Sequence, residues 1–257
     1  MSKIHFLGTL SGAEPIEGMH HTATCFEIGS YYYWFDAGEN CSRNGHLSGI
    51  DILNIKSVFI THTHMDHVGG LGNLMWNIRK LTTRCDRRPP DKRVNLFIPD
   101  IRSWNGIHQM LLCSENDFVT DYDIVVAPTL DGLLYEDENI KVTAFHNHHM
   151  QNEKNDLWLA YSYVIETGGK KIVLSGDIRD LYDLDEMLKD GCDLLLLETG
   201  HHKIDNVNEY LKTKDVKKLI FMHHGREIIN ERQACEEKVK TFPCNTVIAY
   251  DGMIEEI

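Results

Sequence analysis

Four side chains able to bind a metal fall within six residues, His62, His64, Asp66 and His67, in the run Thr61-His62-Thr63-His64-Met65-Asp66-His67-Val68-Gly69-Gly70. His62 and His64 are two apart, so in extended chain they point to the same side. Asp66 and His67 fall where a helix would begin, which turns them back toward the same space. Gly69 and Gly70 let the backbone pass close to a neighbour. The pattern suits two adjoining sites, one built on His62 and His64 and the other on Asp66 and His67. Imidazole combined with carboxylate suits zinc, iron or manganese. Histidine is abundant, 15 of 257 residues, and clusters again in Phe145-His146-Asn147-His148-His149-Met150, Glu198-Thr199-Gly200-His201-His202 and Met222-His223-His224. His20-His21 is a weaker pair, and His5, His46 and His108 stand alone as structural or surface residues.

Elements must hold these groups in place. Short β-rich runs bounded by Gly, Asn or Asp predict strands near residues 4–7, 22–28, 31–35, 57–60, 94–98, 140–145, 160–166, 171–174, 193–197, 218–222 and 247–250. Helical spacing places Val68, Leu71, Leu74, Met75, Ile78 and Leu81 on one face. Trp104, Ile107 and Leu111 share another, with Ser103 as the expected N-cap. Leu181, Leu184 and Leu188 form a third stripe that Gly191 closes, and Ile228, Cys235 and Val239 form a fourth. The two halves resemble each other. Each has a hairpin ending in an acid, at Asp36 and at Asp177, and a later buried strand ending in histidine, at His62 and at His223. Two similar β-rich layers flanked by helices follow, in the order helix, sheet, sheet, helix.

The run His-x-His-x-Asp-His followed by Gly-Gly closely resembles the signature of the metallo-β-lactamase superfamily, and further motifs follow in order along the chain. The resemblance implies an α/β fold, the four-layer αββα sandwich, formed by residues 1–257 as one domain. Phe35-Asp36-Ala37-Gly38-Glu39 looks like the family's first motif, with Asp36 orienting a ligand histidine. Ser175-Gly176-Asp177 looks like the motif whose aspartate bridges two metals. In the third motif the family register selects His149, with His148 the alternative. In the last, strand register favours His223 over His224. The implied ligands are His62, His64, His149 and Asp177 at one metal, and Asp66, His67, Asp177 and His223 at the other. Two divalent ions, zinc first with manganese or iron as substitutes, would share a bridging hydroxide as nucleophile. Asp66, His201 and His202 are the expected catalytic side chains, the two histidines as proton donors or phosphate binders. Cys25 and Cys41 are read as core or loop residues.

The motifs look most like the tRNase Z and phosphodiesterase branch. The bridging position is aspartate, not the cysteine that would point toward β-lactam hydrolysis. The long Gly-, Pro- and Lys/Arg-rich arm of tRNase Z is missing, as is its His-Ser-Thr motif. Lys plus Arg number 26 against 39 Asp plus Glu, a formal charge of −13. That balance argues against a large RNA, which needs basic surface. The expected substrate is therefore a small phosphodiester such as a cyclic nucleotide. Lactone, ester or thioester hydrolysis at the same metals is the alternative, with Met19, Trp76, Trp104 and Trp158 as candidate pocket lining. A non-catalytic metal-binding protein is the other. The seven cysteines form no C-x-x-C pair, which suits a reducing compartment. No apolar run reaches the roughly 20 residues of a membrane span. Residues 1–10 carry no signal-peptide pattern, so a cytoplasmic location is expected, with a homodimer expected from base rate alone.

Overall fold

The computed structural model describes residues 2–152 and 157–257. The chain folds as two compact units, each drawn from separated stretches. Unit 1 takes Met1–Gly8, Pro15–Thr129 and Asp251–Ile257, and unit 2 takes Thr9–Glu14 and Leu130–Tyr250.

Unit 1 holds β1 (Ser2–Gly8), β2 (Ala23–Ile28), β3 (Tyr31–Phe35), β4 (Ile55–Phe59), β5 (Arg93–Ile98) and β6 (Asp123–Pro128). Its helices are α1 (Cys41–Leu47), α2 (Met65–Val68), α3 (Leu71–Cys85) and α4 (Ile101–Leu112). The last strand of the chain, β16 (Ile254–Glu256), completes a seven-stranded sheet in the order β16-β1-β2-β3-β4-β5-β6. Strands β16 to β3 pair antiparallel, and β3 to β6 pair parallel. Parallel strands are covered on both faces and need unbroken apolar runs. All five residues of β4 are accordingly buried. One face packs Val58 and Leu96 against Leu71, Leu74, Met75 and Ile78 of α3 and Trp104 of α4. The other carries a ladder of stacked rings, Phe35 on Phe59 at 4.8 Å and Phe59 on Phe97 at 5.2 Å.

Unit 2 holds β7 (Gly132–Glu136), β8 (Lys141–His146), β9 (Gln151–Asn152), β10 (Leu157–Trp158), β11 (Tyr161–Thr167), β12 (Lys170–Leu174), β13 (Leu194–Glu198), β14 (Lys218–Met222) and β15 (Asn245–Ile248). Its helices are α5 (Asp185–Leu188), α6 (Ile204–Leu211) and α7 (Arg226–Val239). A second seven-stranded sheet runs β15-β14-β13-β12-β11-β8-β7, while β9 and β10 form a separate hairpin. Here too an antiparallel half meets a parallel half, at β12. The expected likeness of the two halves therefore appears as two sheets of the same mixed design. Met187, Leu188, Ile204, Val207, Leu211 and Ile228 bring the helices onto Leu195, Leu197, Leu219 and Phe221.

Two expectations need correction. The N-cap of α4 is Asp100, three residues before Ser103, because the Asp100 carboxylate accepts the Arg102 N–H. The strands β6 and β7 gave no sequence signal because their residues are mostly half-exposed and do not alternate cleanly. All seven cysteines are unpaired in disulfides. No helix among the described residues is long and apolar enough to cross a membrane.

Candidate metal centre

In unit 1, His62 and His64 lie in the turn between β4 and α2, and Asp66 and His67 lie in α2 itself. Asp36, beyond the end of β3, organises them from a left-handed backbone conformation (φ 56°). Its Oδ1 accepts the Thr61 N–H at 2.7 Å, and its Oδ2 lies 2.8 Å from His67 Nδ1. That contact aims His67 Nε2 the other way, where Asp66 Oδ2 stands 3.5 Å off. Thr61 Oγ1 lies 3.1 Å from His62 Nδ1, and His62 Nε2 lies 3.0 Å from His64 Nδ1. Two nitrogens on one tetrahedral ion stand about 3.3 Å apart at ordinary zinc–nitrogen distances. The His62 and His64 pair thus has nearly the separation a shared cation requires.

The backbone makes this turn possible. The Ala37 N–H donates to the His67 carbonyl at 2.6 Å, and the Gly70 N–H donates to the Ala37 carbonyl at 2.7 Å. A Cβ on Gly70 would meet the Gly38 carbonyl oxygen at 2.2 Å, so this approach admits only glycine.

In unit 2 the centre is Asp177, 2% exposed, beyond the end of β12. Its Oδ1 lies 3.2 Å from His223 Nε2, and its Oδ2 lies 3.8 Å from His149 Nε2. One carboxylate thus presents each oxygen to a different imidazole. His223 follows β14 in a left-handed conformation (φ 50°), as Asp36 follows β3. A non-glycine residue held there is strained, and such strain gathers at functional sites. His149 is braced through the chain. Its N–H donates to Asn147 Oδ1 at 3.0 Å, and Asn147 Nδ2 donates to Ser162 Oγ at 3.1 Å.

The neighbouring histidines go elsewhere. His148 pairs through Nδ1 with Asp183 and is half-exposed. His224 is buried, with Nε2 2.8 Å from the Ala249 carbonyl, and burial pushes its imidazole down to about 4. His146 stacks on Trp158 at 4.3 Å, and His148 meets the same ring edge-on at 5.1 Å. His20 lies 2.8 Å from Asp251, and His21 lies 3.9 Å from Glu39. His5 pairs with Glu27 at 2.7 Å. His108 stacks on Trp104, a core residue. Burial pushes the thiols of Cys25 and Cys41 up, the latter to about 12, so neither is a nucleophile.

Glu198, at the end of β13, is the residue whose role sequence reasoning did not assign. It is 1% exposed. Its Oε1 lies 3.0 Å from His201 Nδ1, its Oε2 accepts the His201 N–H at 2.9 Å, and Oε2 stands 3.8 Å from His223 Nδ1. Burial alone would raise its carboxyl, but the hydrogen bonds from His201 and the nearby His223 imidazole outweigh burial and hold it well below the usual carboxylate range. The same bond to Glu198 raises His201. His201 Nδ1 is also 3.9 Å from Asp177 Oδ2. His202 instead turns Nε2 toward the Ile178 carbonyl at 3.2 Å. Glu198 thus stands behind His223 as Asp36 stands behind His67, and the only sequence trace of it is a carboxylate ending an apolar strand. The imidazole and carboxylate donors of both units suit a divalent cation.

A family model described as anti-Pycsar protein Apyc1 matches residues 2–242. Ribonuclease Z of Methanothermobacter thermautotrophicus is 25% identical, over 100% of this chain and 97% of its own. Ribonuclease Z of Archaeoglobus fulgidus is 24% identical, over 99% of this chain and 97% of its own. Among solved structures, the short form of human tRNase Z superposes with a TM-score of 0.73 at 19% identity, covering 99% of each chain. A diphosphatase from the PhnP family superposes with a TM-score of 0.70 at 17% identity, covering 100% of this chain and 98% of its own. The likeness shows the metallo-β-lactamase fold and the tRNase Z and phosphodiesterase branch that the motifs suggested. It also corrects one expectation. The charge balance and the missing arm were held against a large RNA, yet the full-length curated relatives are ribonuclease Z enzymes. Net charge is a sum over the whole surface and does not describe any one patch.

Proposed function

The chain belongs to the anti-Pycsar protein Apyc1 family, and from that premise we propose that this metal-dependent hydrolase cleaves a small phosphodiester, a cyclic nucleotide above all. Donors from both units are joined in the proposal, so residues 1–257 act as one domain. His62, His64, His149 and Asp177 would hold one ion, and Asp66, His67, Asp177 and His223 the other. Bound there, two divalent ions, zinc foremost, would supply Lewis acidity and a water of lowered pKa. The observation that carries this reading is the Asp177 carboxylate, whose oxygens address His223 at 3.2 Å and His149 at 3.8 Å.

The chain's own groups have distinct tasks. Asp66 would take the proton of the attacking water as a new phosphorus–oxygen bond forms. Glu198 holds His201 through Nδ1, which leaves Nε2 to give a proton to the departing oxygen as its bond to phosphorus breaks. Asp36 and Glu198 orient His67 and His223. His202, turned onto a carbonyl, supports the loop that carries His201.

The test is turnover of bis-p-nitrophenyl phosphate and of 3′,5′-cyclic nucleotides by metal-reconstituted protein, beside an Asp177→Ala variant and a carboxylic ester. Metal-dependent diester cleavage that disappears in the variant is the expected result. Ester cleavage without diester cleavage would overturn it. A second reading, an endoribonuclease, is favoured by the full-length similarity to ribonuclease Z. Cleavage of a 3′-extended structured RNA in preference to cyclic nucleotides would establish that reading instead.

A further inference from the structure

Unit 1 contains a cavity of about 590 Å³ lined by residues of α1, α3 and the Glu115–Asn116 segment, and by none of the metal donors. Its volume lies within the range of small-molecule sites. Trp76, Lys80 and Arg84 are four residues apart along α3 and so share one face. Arg43 and His46 line it from α1. Between the helices, Asn77 Nδ2 donates to Ser42 Oγ at 2.7 Å.

The charge around this cavity runs against that of the chain. Four cationic side chains, Arg43, Arg79, Lys80 and Arg84, face a single carboxylate, Glu115, on a protein of net charge −13. Glu115 is already engaged by Lys80. Arg79 is the telling residue. It is 6% exposed, and its Nε donates to the Val119 carbonyl at 3.0 Å. Among the described residues no carboxylate pairs with it. Its charge reaches Glu115, but Lys80 holds that carboxylate, and an anion in the adjoining cavity would complete the neutralisation of a buried guanidinium. Trp76 is half-buried there and offers a flat wall, with Lys80 Nζ 5.1 Å from its ring centroid.

We propose that this cavity binds a nucleoside monophosphate, its phosphate toward Arg79, Arg43 and Arg84 and its base along Trp76. The site shares no residue with the metal donors, so it stands independently of the function proposed above.

Calorimetric titration of the whole chain with uridine monophosphate tests this, with uridine and inorganic phosphate as separate probes. Wild type and Asp177→Ala should bind the nucleotide with Kd values within about threefold of each other. Arg43→Glu combined with Arg84→Glu, both exposed positions, should weaken it by at least about tenfold. Uridine and phosphate alone should each bind at least about tenfold more weakly than the nucleotide. Nucleotide binding should quench tryptophan fluorescence in wild type and lose most of that quench in Trp76→Phe. Binding lost in Asp177→Ala but kept in the charge-reversed protein would overturn the proposal, because the nucleotide would then sit among the metal donors. Phosphate binding as tight as the nucleotide would overturn the base contact, and no nucleotide binding at millimolar concentration would overturn the whole.

Discussion

Asp36 and Glu198 sit at the ends of buried strands and spend their charge on the far nitrogen of a histidine. A carboxylate in that position fixes the ring and makes its other nitrogen a better donor. Asp36→Asn keeps the shape but removes the charge, and it should weaken metal binding by about 10–100-fold in a competition titration with a chromophoric chelator. Glu198→Gln should lower the metal affinity similarly. Because Glu198 also holds His201, it should in addition lower kcat with the metals saturated. The paired histidines allow a sharper comparison. His149→Ala should reduce diester turnover by at least about a hundredfold, whereas His148→Ala should keep it within a few-fold, because His148 is tied to Asp183. Equal losses at the two positions would show the wrong ring has been assigned to Asp177.

At the scale of elements, the turn from β4 to α2 depends on two backbones passing at contact distance. Gly70→Ala would drive a methyl group into the Gly38 carbonyl. Urea unfolding should show a loss of about 1–3 kcal/mol, and the metal affinity should fall with it. Ile78→Ala, in the core beneath α3, should cost about 2–5 kcal/mol in the same experiment and leave the metal affinity unchanged. The contrast separates packing from positioning. It also marks what could be read from the sequence. Strands such as β3 and β14 were legible to the residue because they are short apolar runs with abrupt polar ends, and β13 nearly so. Helix α3 was legible from its stripe. Helix α1 was not, since Cys-Ser-Arg-Asn-Gly-His-Leu has no apolar period and a central glycine. The motif around His62 was legible because its donors are close in sequence. Glu198 was not, because its partners His201 and His223 gather through the fold, and a single acid at a strand end resembles many others.

Over the whole molecule, bound metal should act as a ligand of the native state. At about 1,000 times its Kd a ligand stabilises by about 4 kcal/mol. A chelator should therefore abolish turnover and lower the melting temperature, and excess zinc or manganese should restore both. Loss of turnover with an unchanged melting curve would mean that the metals contribute to chemistry and not to the fold. The chelator should leave nucleotide binding at the Arg79 cavity intact, since no donor lines it.

The strand β16 has a consequence for how the protein is made. It pairs with β1, joining Lys3 to Glu256 and His5 to Ile254. Phe6 exchanges hydrogen bonds with Gly252 and Met253, and Asp251 holds His20. Strand β1 therefore waits for residues 254–256 before this edge is covered. Until those residues are made, the nascent chain displays an unpaired β1 edge, which is a template for self-association. Truncation after Tyr250, which removes β16, should give a protein whose yield depends steeply on chaperones and temperature, although every proposed metal donor would be present.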